Sequence, residues 1–339
     1  MNGRDASGAG GRRADQGDRR ADADRDPGDA PDGLSVRDLL RGVLAAVRSR
    51  PTAELALVAV PIPALLVAVA LLPGTEAWRF SLAADGVLES RTTLWTAFAS
   101  SFVHTNASHL ADNVVNYWLL VAVAYPLSVI AGWRRRFLYA AVIYLAVVPL
   151  ASAAATLAVL GSVTDAPAAG FSDVNNALLG YLVVVWFAAL ASETGPADSG
   201  GADGAEGGTD GASNRPRRRV GVDPRWSAVA VCGSLAVVFA VPSGVDYFPA
   251  LPAVGALFAA VAVLAAAALL AGSGRPRVVG LDLPAPRELL YVCGASVAVA
   301  GVIGSLVVVP FGSNVYAHLV GYVVGFSVPF LAVIAGDRA

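Results

Sequence analysis

Residues 170–190 read G-F-S-D-V-N-N-A-L-L-G-Y-L-V-V-V-W-F-A-A-L, an apolar run with Ser172 at its head. As a helix, the stretch 172–192 is long enough to cross roughly 30 Å of hydrocarbon. Comparable runs occupy 54–73, 108–131, 137–161, 250–272, 288–310 and 315–335, and a shorter, marginal one lies at 226–242. The expectation is an all-α polytopic membrane protein of about eight transmembrane helices, or seven if 226–242 is only interfacial. Composition agrees: hydrophobic residues make up 56%, charged residues 15%, and mean hydropathy is +0.61, outside the soluble globular range.

Arginine sets the expected orientation. All 24 basic residues are arginine. Ten precede the first span, three (134–136) follow the second, five (215, 217, 218, 219, 225) follow the fourth and three (275, 277, 287) follow the sixth. Arg338 closes the chain, and only Arg79 and Arg91 fall in the alternate loops, a division of 22 against 2. By the positive-inside rule this places both termini in the cytoplasm of a multi-pass cell-membrane protein. An even number of spans follows from the same division. The basic clusters lack interleaved aromatics and sit beside spans, so the lipid bilayer accounts for them and nucleic acid is not an expected partner. The lack of lysine, with 20 aspartates against 6 glutamates, points to a GC-rich, halophilic source.

Outside the spans the chain is sparse in apolar residues. Residues 1–33 offer almost nothing to bury and read as a disordered cytoplasmic tail; 193–224 read as a flexible cytoplasmic linker. Within the first fifty residues, Leu40, Val43, Leu44 and Val47 recur at helical spacing opposite Arg37, Arg41 and Arg48. That pattern fits an amphipathic helix on the inner leaflet, or a charged stop before the first span. The polar N-terminus gives no sign of a cleavable signal peptide. Residues 51–339 then form the membrane domain. Cys232 and Cys293 lie within apolar runs and read as small packing residues.

The chain's three histidines fall in two patches at the edges of apolar runs. The first, W-T-A-F-A-S-S-F-V-H-T-N-A-S-H-L-A-D-N from Trp95 to Asn113, holds His104 and His109; the second, A-H-L-V-G-Y-V-V-G from Ala317 to Gly325, holds His318. Imidazoles are costly in lipid and face a bundle interior or a wet cavity. In the expected topology, His109, Ser172 and His318 all lie near the outer ends of their spans. Asn113 follows His109 by one turn, about 6 Å deeper on the same face. A serine near a histidine suits nucleophilic catalysis, the imidazole accepting the hydroxyl proton as carbon is attacked. His109, Asn113 and the N–H of Ser172 at a helix N-terminus are suitable donors to an oxyanion. Gly321 and Gly325 follow His318 in a small-xxx-small arrangement that lets helices approach closely.

H-L-A-D-N, G-F-S-D and A-H-L-V-G-Y-V-V-G, in this order, resemble the rhomboid family of intramembrane serine proteases. The likeness covers roughly 51–192 and 315–335 and includes Trp95 and His104 upstream of His109. The resemblance implies a rhomboid-like bundle, a six-span core here carrying an extra pair of helices. It also implies a serine endopeptidase that cuts transmembrane proteins near the outer face through an acyl-enzyme, with no metal or organic cofactor. Ser172 would be the nucleophile and His318 its base, a dyad without a third member. His109 and Asn113 would help hold the oxyanion, and Gly170 would admit the substrate beside Ser172. Water would reach Ser172 through a polar cavity lined by His104, His109, Asn113 and Asn176.

Several residues depart from the family pattern. Asp173 follows the serine where rhomboids usually have Gly, Asn176 stands where an aromatic often stacks on the histidine, and Trp95 is followed by Thr96 in place of Arg. Three apolar segments, not one, separate Ser172 from His318. Asp112 and Asp173 read as hydrogen-bonded structural groups, as groups orienting His318 or as aids to substrate choice, and His104 as a structural hydrogen-bonding residue. Two other classes stay open: an inactive rhomboid-like protein binding membrane-protein clients, and an ion or proton transporter using Asp112 and Asp173 as carriers.

Overall fold

The computed structural model describes residues 36–48, 50–194, 222–242, 245, 247–273, 283–309 and 313–336. The expected tail at 1–33, and all but the ends of the expected linker at 193–224, lie outside the described residues. Among those described, the architecture is all-α, with seven helices long and apolar enough to cross a membrane. This is a polytopic membrane protein.

The first span, Thr52–Leu71, is broken at Val60 into α2 (Thr52–Ala59) and α3 (Pro61–Leu71). Proline explains the break. Pro63 has no N–H to offer the Ala59 carbonyl, which accepts instead from the Trp118 indole at 2.9 Å, while Tyr117 donates to Val58 O at 2.6 Å. Trp118 therefore stitches two helices. Preceding them, α1 (Val36–Val47) docks on the bundle: Gly42 meets the backbone of Pro286, Val43 and Val47 pack inward, and Leu40 and Leu44 point out. The single apolar face expected for this helix is thus split between core and surroundings.

Beyond the short α4 (Arg91–Ala99), four helices build the centre: α5 (Ala107–Ile130), α6 (Arg134–Leu160), α7 (Ser172–Thr194) and α11 (Val315–Gly336). α7 is the most enclosed; Tyr181, Leu182, Val184 and Val185 are fully buried. α8 (Trp226–Ala240) has 15 residues, shorter than a full crossing, and pairs with α9 (Pro252–Ser273) as a hairpin, Phe239 stacking on Phe258 at 5.7 Å. α10 (Ala285–Val302) runs into a π turn at Ile303–Val307 and packs on α7 and α1.

The closest packing in the bundle is between α7 and α11. A Cβ at Gly321 would fall on the Asp173 carbonyl, one at Gly325 on the backbone of Ala177, and one at Gly180 on the backbone of Tyr322. Tyr144 locks the seam by donating to Gly325 O at 2.7 Å. Small residues here let main chains touch where lipid gives no hydrophobic drive to pair.

The two ends of the bundle differ. Arg134 at the start of α6 reaches Glu54 at 2.6 Å, and Tyr125 donates to the same carboxylate oxygen. Near that end Arg287 also pairs with Glu193 at 3.1 Å. α6 then runs the length of the bundle to bring Ser152 and Thr156 beside the starts of α7 and α11. An aromatic ladder supports the second end, from Trp78 through Trp95, Phe98 and Phe102 to Phe171.

Gly325→Leu puts a side chain where only backbone fits and is expected to cost at least about 3 kcal/mol. Thermal unfolding in detergent should show a large loss of stability, while Gly233→Leu, at a glycine with open space around it, should unfold near wild type.

Candidate functional site

Ser172 is the first residue of α7 and His318 the fourth of α11. Because the glycine seam holds these two starts together, His318 Nε2 lies 2.8 Å from Ser172 Oγ across 146 residues of sequence. His318 is buried, and its Nδ1 lies 2.9 Å from the carbonyl oxygen of Ser305. A carbonyl only accepts, so Nδ1 carries the ring proton and Nε2 presents a lone pair to the Ser172 hydroxyl.

Gly170, two residues before Ser172, has φ +124°, a conformation L side chains rarely adopt. Its N–H donates to Ser100 O at 3.0 Å. A Cβ there would stand 2.6 Å from His109 Cε1, so the imidazole of His109 lies directly over the Gly170 backbone. Asn106 caps α5 by accepting from the His109 N–H at 2.8 Å, and Thr105 Oγ1 contacts His109 Nδ1 at 3.3 Å. These contacts fix the ring beside the segment that leads into Ser172.

Asn113 is buried and bonded on both sides of its amide: Nδ2 donates to His109 O at 3.0 Å, and Oδ1 accepts from Asn175 at 3.1 Å. Asn176 is buried too, donating to Ser172 O at 2.8 Å and accepting from Ser305 Oγ at 2.7 Å. The cavity lining expected of Asn113 and Asn176 is therefore not what the structure gives. In apolar surroundings these amides bond to helix backbone and to neighbouring side chains.

Asp173 is 2% exposed. Its carboxylate accepts from Ser101 Oγ at 2.7 Å, Ser152 Oγ at 2.6 Å and the Val174 N–H at 2.7 Å. It sits in the first turn of α7, where the exposed N–H groups of a helix favour negative charge. Three segments meet on this one side chain: 100–102, α6 and α7. Asp112 by contrast is exposed on α5.

The structural hydrogen bonds expected of His104 are not well formed: its ring nitrogens interact only weakly, with the Phe102 backbone. Instead it packs edge-on against His109, with centroids 5.1 Å apart, beside a cavity of about 470 Å³ lined by Leu72, Gly74 and Glu76. Burial, reinforced by the neighbouring His109, pushes its pKa down to about 4.

The structure thus gathers Ser172, His318, His109, Asn113, His104 and Gly170 at one end of the bundle, with Gly321 and Gly325 about one and two turns further along α11. Sequence reasoning missed Ser101, Ser152 and Ser305. Their only signal was a hydroxyl inside or beside an apolar run, which serines often supply without function. Among the described residues no group of three or more His, Cys, Asp or Glu is placed to hold a metal ion. Comparison of the chain with protein-family models, with curated proteins and with solved structures returns no match.

Asp173→Ala removes the carboxylate acceptor of Ser101 and Ser152, of which Ser152 can fall back on Pro149 O, and should destabilise the protein by about 2 kcal/mol, read by thermal unfolding. His104 has a folded-state pKa below that of the free side chain, so the unfolded chain binds the proton more readily. Its contribution is therefore complete above about pH 6.5 and falls as pH drops toward about 4. The unfolding temperature should decline over that window, and His104→Phe should flatten the decline.

Proposed function

We propose that this chain is an intramembrane serine endopeptidase of the rhomboid type. The observation that carries the reading is the 2.8 Å contact between His318 Nε2 and Ser172 Oγ, made inside a helical membrane bundle with the imidazole oriented to accept. The motif resemblance points to the same two residues.

In the proposed reaction Ser172 Oγ attacks a peptide carbonyl carbon while its proton passes to His318 Nε2. The tetrahedral oxyanion draws on donors at the start of α7, with His109, whose ring lies over the Gly170 backbone, and the remaining amide hydrogen of Asn113 as the side-chain candidates. His318 then gives its proton to the leaving amine as the carbon–nitrogen bond breaks. Water, deprotonated by the same imidazole, cleaves the acyl-enzyme and frees the new carboxylate. No step needs a metal or organic cofactor.

The substrate class is a transmembrane protein that reaches the site from the bilayer. Within this reading the Ser172 end faces outward, since the arginines at the start of α6 and α10 mark the other end as cytoplasmic. The six-span core would be α2–α3, α5, α6, α7, α10 and α11, with the α8–α9 hairpin as the additional pair.

A fluorophosphonate probe should label the detergent-solubilised protein at Ser172, and Ser172→Ala and His318→Ala should each remove the label. Both variants should also lose cleavage of a single-span membrane reporter by at least about a thousandfold while keeping wild-type unfolding temperatures. Cleavage by Ser172→Ala at the wild-type rate would sink the mechanism.

A further inference from the structure

The contacts around His318 close into a ring. Ser172 Oγ meets His318 Nε2, His318 Nδ1 meets Ser305 O, Ser305 Oγ meets Asn176 Oδ1, and Asn176 Nδ2 returns to Ser172 O. These four contacts span 2.7–2.9 Å and join α7, α11 and the π turn after α10.

The π turn explains how Ser305 can serve both neighbours. Val308 N–H donates back to Ile303 O at 2.7 Å, an i to i+5 bond that inserts one extra residue in the turn. The helix stops at once, so Ser305 is among the last residues, whose carbonyls have no continuing turn to receive them. Its carbonyl is free to take the proton on His318 Nδ1. Its side chain meanwhile folds back, with Gly301 O at 2.7 Å as the alternative acceptor to Asn176 for the one hydroxyl proton.

We propose that Ser305 and Asn176 are positioning residues for the Ser172–His318 pair. Ser305 fixes the imidazole tautomer through its carbonyl, and Asn176 ties the π turn to the backbone of Ser172 so that the carbonyl stays in place. The dyad expected from sequence thereby gains a third member, a main-chain acceptor on a different helix. The link between α10 and α7 holds His318 ready as a proton acceptor. This rests on the proposed serine chemistry for its consequence and on the hydrogen-bond ring alone for its geometry.

Two measurements on the full chain in detergent test it. Ring-nitrogen NMR of isotope-labelled histidine above neutral pH, with His318 assigned by its loss in His318→Ala, should show His318 protonated on Nδ1. A wild-type His318 protonated on Nε2 overturns the proposal outright and needs no variant to do so. Fluorophosphonate labelling of Ser172 should slow about tenfold in Ser305→Ala and in Asn176→Ala, and recover in Ser305→Thr, which restores the hydroxyl. Unfolding temperatures should stay near wild type. Labelling of Ser305→Ala at the wild-type rate overturns the positioning role, as does a loss that Ser305→Thr fails to rescue. A wild type protonated on Nδ1 but never labelled supports the ring and overturns the protease reading, so the two failures are separable.

Discussion

Main-chain contact between α7 and α11 is the constraint on which the rest depends. Where Gly180, Gly321 and Gly325 lack side chains, carbonyls of one helix occupy the space a Cβ would take on the other. That contact brings the first turns of both helices to one level, and a serine and an imidazole carried there meet at 2.8 Å. Any residue larger than glycine would separate the helix axes and break the contact. Tyr144, donating to Gly325 O, adds directional stiffness to a seam otherwise held mainly by close packing.

Polar groups in such surroundings must find partners within the protein. Asp173 shows the rule at its most demanding. A buried carboxylate beside a candidate nucleophile looks like a liability in sequence, yet three donors converge on it, and its position at a helix start suits a negative charge. Asn113 and Asn176 form comparable pairings, and Asn175 bonds through its Nδ2 alone. The outcome is a site whose side chains are held both by backbone and by one another, an arrangement that fixes their geometry. His104, half-buried and packed on His109, fills space as an aromatic ring more than it bonds, and Asn175 Oδ1 is likewise left without a partner.

Much of the membrane architecture was legible in sequence because it depends on run length alone. Seven apolar runs became seven helices of crossing length, and the marginal 226–242 run became the short α8. Ser172, His109 and His318 stood out because polar residues at the edges of apolar runs carry a cost that composition cannot hide. Ser305, Ser101 and Ser152 did not stand out, since a serine in a helix can satisfy itself on its own backbone, as Ser152 also does on Pro149 O. Which hydroxyl reaches across to a neighbour is decided by tertiary packing. The split of α1 was hidden for a related reason. Spacing groups Leu40, Val43, Leu44 and Val47 on one side, but only the approach of Gly42 to Pro286 selects which of them face the core.

The same reasoning gives α10 more than a structural part. A helix added to a bundle only to fill volume needs apolar contact and nothing more. α10 instead ends in a π turn, a geometry that costs hydrogen-bond regularity and is retained where the displaced groups are used. Here the freed carbonyl of Ser305 is directed at His318, and its hydroxyl at Asn176, which in turn bonds the Ser172 backbone. The His318 ring would otherwise be free to turn and exchange its two nitrogens. With an acceptor fixed on one side and a hydroxyl on the other, only one tautomer satisfies both contacts. Proton-accepting power at Nε2 is therefore a property of three helices packed together, and not of the histidine alone.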